Sequence, residues 1–354
     1  TMEPEVDVVD AVRVGLVLGG RSREHEVSVV SARSVWRGLR DRHEVVAMAI
    51  DREGRWANPA TAARVLEESG DRTEQVLSFV GEDVVDPRLL AREVDVVFPI
   101  LHGPYGEDGT LQGLLELLGL PFVGCDTVAS AVCMDKLLAK GVLAAGGIAT
   151  APWVDVDRTG WEQAGDELRE RCLGLGLPLF VKPARLGSSV GVSRVSAAGE
   201  LDAAVDEALA HGRRALVERG IAGRELEVAV LGNEAPRASL PGEIVPGHAF
   251  YDYSDKYVDD ACQLLAPAPL AEAPAEAARA LAVRVFRLLA CEGMARVDLF
   301  LDAENRLWVN EVNTIPGFTS ISMYPKLWSV TGLPYPDLLD ELLALALERS
   351  RRPC

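Results

Sequence analysis

Met294-Ala295-Arg296-Val297-Asp298 and, across a turn, Val309-Asn310-Glu311-Val312-Asn313 are the most informative residues of the chain. Both segments alternate apolar and polar side chains, the period of a half-buried strand. A hairpin turning about Glu304 and Asn305 sets Asp298 opposite Glu311 and puts Asn313 on the same face as Glu311. Three oxygen-bearing side chains then converge with no histidine cluster among them. Oxygen-only ligation suits Mg²⁺ or Mn²⁺, and Mg²⁺ is usually completed by nucleotide phosphates. The bland reading is a charged edge hairpin, which keeps neighbouring chains from pairing with it.

A second segment decides between these. Lys182-Pro183-Ala184-Arg185-Leu186-Gly187-Ser188-Ser189-Val190-Gly191 lies between two expected strands, at 179–182 and 192–195. Small residues let successive backbone N–H groups face an anion, and the lysine before them adds a compact charge. The loop is not a Walker A sequence, because no G-x-x-x-x-G-K-[ST] occurs and a strand follows it; nor is there a G-x-G-x-x-G.

Toward the N-terminus, the apolar runs 12–18 and 95–101 read as buried parallel strands, each closed by glycine-rich loops. Leu111, Leu114, Leu115 and Leu118 share a helical face, and Pro121-Phe122-Val123-Gly124 reads as another short strand. Ligands of parallel sheets sit beyond the carboxyl ends of the strands, so the loops starting at Gly19 and His102 are expected to share a crevice. In the first loop Glu24 is placed to receive an ammonium group and Ser28 to cap the following helix. The polar stretch 248–260 has no period and reads as a long functional loop. The C-terminal helix presents Leu338, Leu342 and Leu345 on one face, followed by Arg349, Arg351 and Arg352.

Composition sets outer limits. With 36 Lys+Arg against 54 Asp+Glu the net charge is −18 over 354 residues, which argues against nucleic acid as a partner. Only five cations are lysines, Lys136, Lys140, Lys182, Lys256 and Lys326, so each marks a place where arginine does not substitute. No run approaches the roughly 18 apolar residues of a membrane helix, and the acidic start is unlike a secretory signal. A cytoplasmic protein is expected. The six cysteines show neither C-x-x-C pairs nor metal-ligand spacing, which fits reduced thiols.

In this order, G-G-x-S-x-E-x-x-V-S, H-G-x-x-G-E-D-G, M-D-K, V-K-P…G-S-S-V-G, F-Y-D-Y-x-x-K-Y, R-x-D and E-x-N-T-x-P-G run along nearly the whole chain. Together these motifs resemble the D-alanine:D-alanine ligases of the ATP-grasp superfamily. The resemblance implies an α/β, three-domain architecture: an N-terminal parallel-sheet domain over 1–124, a central ATP-grasp part over 125–217, and a C-terminal part over 218–354 carrying a mobile loop at about 247–262. It implies ATP-dependent joining of two D-alanines for the peptidoglycan precursor, through a D-alanyl phosphate, with release of ADP and phosphate.

Position by position, the resemblance gives Lys136 and Lys182, with Ser188, Ser189 and Lys256, to the ATP phosphates. Glu218 and Ile221 go to the adenine hinge and Glu225 to the ribose. Asp298, Glu311 and Asn313 become ligands of two Mg²⁺ ions, with Mn²⁺ able to substitute and Glu311 bridging. Glu24 takes the ammonium of the first D-alanine within a Glu24-Ser188-Tyr257 network, and Ser322 with the Met323 backbone takes the carboxylate of the second. Arg296 and the Gly317 N–H face the oxyanion, and His102 is a further catalytic candidate. Lys256-Tyr257 on the loop favours D-alanine as second substrate. The alternatives are a ligase using D-lactate or D-serine, and a nucleotide-binding regulator without catalysis. The family also implies a homodimer.

Overall fold

The computed structural model describes residues 10–67, 77–245, 263–319 and 321–352. Three sheets organise them.

The first sheet contains Arg13–Gly19 (β1), Glu44–Ile50 (β2), Trp56–Ala57 (β3), Val84–Val85 (β4) and Val96–Pro99 (β5), in the order β4-β3-β2-β1-β5. β1 is parallel to both β2 and β5, as the two apolar runs predict. The helices of this region are His25–Leu39 (α1), Pro59–Glu67 (α2), Pro87–Leu90 (α3) and Thr110–Leu117 (α4). α1 lays Val29, Ala32, Val35 and Leu39 into the core, a stripe at helical spacing. The segment expected as a strand at 121–124 makes only an isolated parallel bridge, Val97 to Phe122. Ser28 does not cap α1. The helix begins three residues earlier, and the Ser28 hydroxyl donates to the Ile100 carbonyl at 2.5 Å and accepts from the Gly19 N–H at 2.8 Å. It thereby fastens the ends of β1 and β5 together.

Thr127–Met134 (α5) and Lys136–Ala145 (α6) lead to the second sheet. Its strands are Trp153–Asp157 (β6), Leu179–Pro183 (β7), Ser193–Val195 (β8) and Arg214–Arg219 (β9), in the antiparallel order β6-β9-β7-β8. Arg158–Gln163 (α7), Gly165–Leu173 (α8) and Leu201–Ala210 (α9) complete this part. Asp126, Asp135 and Asp157 cap α5, α6 and α7 through their side chains. The limit expected between 217 and 218 falls inside β9, whose Glu218 and Arg219 still pair with Trp153 and Leu179. Backbone pairing therefore carries the central sheet two residues further.

The third sheet contains Gly223–Gly232 (β10), Arg237–Ala238 (β11), Gly242–Val245 (β12), Gln263–Leu265 (β13), Gly293–Asp302 (β14) and Leu307–Asn313 (β15), ordered β13-β12-β10-β14-β15 with β11 beside β10. Glu272–Leu288 (α10) packs on it, and Met323–Thr331 (α11) and Tyr335–Ser350 (α12) close the chain. α12 buries Leu338, Leu339, Leu342, Leu343 and Ala346 in the same core as β1 and α1. At roughly 1.5–3 kcal/mol per buried leucine, this helix holds the third sheet against the first. Arg349, expected only to suit the helix dipole, also donates to the carbonyls of Phe122 (2.7 Å) and Gly124.

Candidate active site

The β14–β15 hairpin pairs Asp298 with Glu311 and Arg296 with Asn313, as the spacing predicts. Beyond Asp298 the register shifts, so that Leu299 faces Val309 and Asn310 has no opposite residue. This bulge changes the chemistry of the strand. A regular strand sends neighbours to opposite faces, whereas a bulge re-aims one of them. Here Asn310 and Glu311 both line the same cavity, while Val309 and Val312 stay in the core. Sequence arithmetic treated the hairpin as regular and missed Asn310.

Around this hairpin the charges interlock. Arg296 donates from Nε and Nη2 to the two oxygens of Asp298 at 2.7 and 2.8 Å, and its Nε lies 3.2 Å from Glu227. Burial opposes the Arg296 charge, but Asp298 and Glu227 outweigh it and hold the guanidinium firmly protonated. Asn313 donates from Nδ2 to Asp298 at 2.9 Å, which turns its Oδ1 away from that carboxylate as a donor for a cation. Among the described residues no three His, Cys, Asp or Glu side chains form a metal cage. Two carboxylates and an amide oxygen are what a magnesium ion completed by phosphates requires.

The second sheet supplies cations. Lys136 opens α6 directly after the capping Asp135; its Nζ donates to the Leu186 carbonyl at 2.7 Å and lies 3.6 Å from Glu311. Lys182, on β7, pairs with Glu218 on β9 at 2.5 Å and reaches Asn310 Oδ1 at 3.4 Å. Lys140, one helical turn after Lys136, takes the other Glu218 oxygen at 2.8 Å. Sequence reading gave Lys140 no role; its spacing from Lys136 on one helix face was the available signal. Burial alone would raise the Glu218 pKa, yet the two lysines bring it down to about 2.

In the Gly/Ser loop, Ser188 and Ser189 both take left-handed backbone angles, φ 50° and 56°, a conformation that costs side-chain-bearing residues energy. The loop is closed by turns from Val190 N–H to Gly187 and from Val192 N–H to Ser189. The result is that Ser188 Oγ donates to Glu24.

Glu24 arrives from the first sheet, where the loops after β1 and β5 meet as expected. Ser22 Oγ donates to the His102 carbonyl at 2.6 Å and accepts the Glu24 N–H at 3.1 Å. Gly103 has φ +74°, and a Cβ there would lie 2.5 Å from Glu24 Oε2, so only glycine leaves room for the carboxylate. His102 is buried with both ring nitrogens engaged, Nδ1 with the Ile315 carbonyl at 3.1 Å and Nε2 with Ser31 Oγ at 3.2 Å. Burial lowers its pKa and keeps it neutral. Glu107, in the same loop, is pushed up to about 8 by burial and then by Glu24.

These parts enclose a cavity of about 360 Å³. Glu24, His102, Ser188, Glu225, Arg296, Asp298, Glu311, Asn313, Gly317, Ser322 and Met323 line it. Lys136 and Lys182 stand behind Glu311 and Asn310. Ser322 Oγ accepts the Thr319 N–H at 3.0 Å, and a Cβ on Gly317 would come 2.7 Å from it, so that turn is tightly drawn. Ile221 lies in the link between β9 and β10 and Ser189 in the Gly/Ser loop, and neither lines the cavity. Lys256, Tyr257 and the stretch 247–262 lie outside the described residues. Cys125, Cys133, Cys172 and Cys291 are free and buried, as reduced thiols should be. No helix among the described residues is long and apolar enough to cross a membrane.

Comparison with known proteins points the same way. Residues 13–125 match the family model described as D-ala D-ala ligase N-terminus, and residues 142–344 match D-ala D-ala ligase C-terminus. The chain is 45% identical over 356 residues to D-alanine–D-alanine ligase A of Chromobacterium violaceum, covering 96% of each protein. It is 45% identical over 357 residues to the enzyme of that name from Escherichia coli K12, covering 96% of this chain and 97% of that one. Among solved structures, the D-alanine-D-alanine ligase of Coxiella burnetii superposes with a TM-score of 0.81 at 39% identity, covering 97% of this chain and 96% of that one. The VanG D-Ala:D-Ser ligase of Enterococcus faecalis gives 0.79 at 33% identity, covering 95% and 99%.

Proposed function

The chain belongs to the D-alanine–D-alanine ligase family and is an ATP-dependent ligase joining D-alanine to D-alanine, and we propose the following division of labour among its residues. The observation that carries it is one cavity shared by the three sheets, with the acidic hairpin facing Lys136 and Lys182 and the Glu24–Ser188 contact closing the third side. Three units, with limits after residues 124 and 219, fit that arrangement.

Lys136 and Lys182, with Ser188, Ser189 and Lys256, receive the ATP phosphates. Ile221 and Glu218 sit at the adenine hinge, and Glu225 takes the ribose. Asp298, Glu311 and Asn313 would hold the Mg²⁺ ions, two on this reading, with Mn²⁺ as a substitute. Bound there, the ions supply charge compensation for the transferring phosphoryl group. Glu24 receives the ammonium of the first D-alanine, and Ser188 with Tyr257 orients Glu24. The carboxylate oxygen of that D-alanine attacks the γ-phosphorus, giving an acyl phosphate and ADP. Ser322 and the Met323 N–H hold the carboxylate of the second D-alanine, whose amine then attacks the acyl carbon. Arg296 and the Gly317 N–H meet the resulting oxyanion, and phosphate leaves. With both ring nitrogens engaged, His102 acts by holding the Ile315 turn in place. A homodimer and a cytoplasmic location accompany this reading.

Phosphate release on adding D-alanine to enzyme, ATP and Mg²⁺, with the dipeptide identified by mass, tests the ligation. The absence of D-alanine-dependent turnover sinks it, and nucleotide binding without turnover returns the regulator reading. Parallel reactions with D-serine and D-lactate as second substrate, across pH, separate the amine from the hydroxyl nucleophile, because only the amine must first lose a proton. Lys256→Ala is expected to lower turnover by about 10²-fold, the scale of one electrostatic contact to transferring charge. A role confined to the transferring phosphate should leave the melting midpoint within about a degree of wild type. Equal loss of both would remove Lys256 from the chemistry.

A further inference from the structure

Lys140 is a buried cation that the division of labour above leaves unused. It stands one turn into α6 from Lys136, and its side chain is 3% exposed and does not line the cavity. Its Nζ donates to the Ala151 carbonyl at 3.3 Å and pairs with Glu218 Oε2 at 2.8 Å. Glu218 Oε1 is taken by Lys182 at 2.5 Å. Two ammonium groups thus share one buried carboxylate. One would balance its charge, whereas the second adds its own desolvation cost and repels the first. Burial lowers the Lys140 pKa, Glu218 opposes that, and Lys182 and Lys136 add to it. A surplus cation kept at such a place calls for a state in which the carboxylate has lost the other one.

The two lysines differ in what surrounds them. Lys140 is held by the Ala151 carbonyl, by Glu218 and by α6 itself, whose start is fixed by the Asp135 cap and by the Lys136 N–H on the Ala184 carbonyl at 2.9 Å. Lys182 instead adjoins the cavity: its Nζ also reaches Asn310 Oδ1 at 3.4 Å, and Asn310 is a lining residue. We propose that Lys140 is a positioning residue for the nucleotide, keeping Glu218 charge-balanced and aimed at the hinge while Lys182 turns from Glu218 to the ATP phosphates. This rests on the reading that gives Lys182 to the phosphates and Glu218 to the adenine hinge. With Lys140 in place, the move leaves Glu218 with one full partner. Without it, the same move strands a carboxylate in the interior, and the cost of an unpaired buried charge opposes ATP binding.

Calorimetric titration of the whole protein with ATP and Mg²⁺, without D-alanine, reads this apart from turnover. Lys140→Met keeps most of the side chain and removes its charge. It is expected to weaken ATP binding about tenfold, the scale of one hydrogen bond to a charged group. In turnover the KM for ATP should rise by the same factor, with kcat within about threefold and the KM for D-alanine within about twofold of wild type, the pattern of lost uniform binding. In a Glu218→Gln background no carboxylate needs a counter-charge, so adding Lys140→Met should change ATP affinity by less than about threefold. Lys140→Met with wild-type ATP affinity overturns the proposal, whatever its melting midpoint, and leaves Lys140 a stabilising counter-ion only. So does an equal weakening in both backgrounds, which would sever its action from Glu218, or a rise in D-alanine KM in step with that of ATP, which would mark a general distortion. The single variant keeps Glu218 paired with Lys182, so it should fold even where the Glu218→Gln proteins do not, and its ATP-against-D-alanine split then decides alone. A wild-type protein that binds no ATP would defeat the nucleotide reading and the proposal with it, whereas normal wild-type binding with an unaffected Lys140→Met defeats only the role given to Lys140.

Discussion

Glu311→Gln is expected to lower D-alanine-dependent ATP turnover by about 10²–10³-fold while leaving the fold intact. The side chain is held at the cavity by the bulge at Asn310 and lies 3.6 Å from Lys136. Replacing the carboxylate by an amide preserves its volume and removes one of the two formal negative charges available to a cation there. The fold should tolerate this, because the variant removes a charge from a crowded set rather than stranding one. Binding supplies a second readout. A ligand at one hundred times its dissociation constant stabilises a protein by about 2.7 kcal/mol, so Mg²⁺-ATP should raise the wild-type unfolding midpoint. The variant should lose most of that rise while ATP without a divalent cation behaves alike in both proteins. Turnover within tenfold of wild type would show that Glu311 is not a ligand of the transferring phosphate's metal, and would leave Asp298 and Asn313 without their central partner.

Why the sequence discloses the facing pair Asp298 and Glu311 but not Asn310 is a matter of range. Alternation is a local property, and a short hairpin propagates it across a turn. A bulge depends on where the ladder slips, and nothing in Leu307–Asn313 taken alone marks the slip. The same limit governs Ser28. Its type and position in the chain suit a cap, but the carbonyl that claims it, Ile100, lies 72 residues away. The parallel strands, the glycine-rich loop ends and the leucine face of α12 are written in periodicity, and the structure keeps them. Partner choice between distant segments is not, which is why Lys140, Glu107 and Glu227 emerge only when the sheets are assembled. Motif order carried the identity of the family where local chemistry left a charged hairpin as an equal reading. The lysines come closest to bridging the two levels: their scarcity is a property of the composition, and three of the four on described residues, Lys136, Lys140 and Lys182, gather about Glu311 and Glu218.

Glu218→Gln is expected to cost about 3–5 kcal/mol of stability, the scale of breaking a buried ion pair by removing one partner. Lys140, Lys182 and Glu218 are 3%, 15% and 5% exposed at their side chains. With the carboxylate gone, two desolvated ammonium groups face each other across an amide whose nitrogen cannot accept from either. Lys140 is the more vulnerable, since burial already lowers its pKa and Glu218 is the main force opposing that. A Lys140→Met change on top of Glu218→Gln should therefore restore part of the loss, where two independent defects would simply add. The pH dependence has a definite sign. The Glu218 pKa falls on folding from its ordinary 4.5 to about 2, so its contribution is complete above about 4.5 and disappears as pH drops toward 2. Urea unfolding midpoints measured from pH 6 downward should fall more steeply between those limits in wild type than in the variant. Parallel curves for the two proteins, or a variant as stable as wild type at pH 7, would mean that the lysines find other compensation and that Glu218 is held for its part at the nucleotide hinge alone.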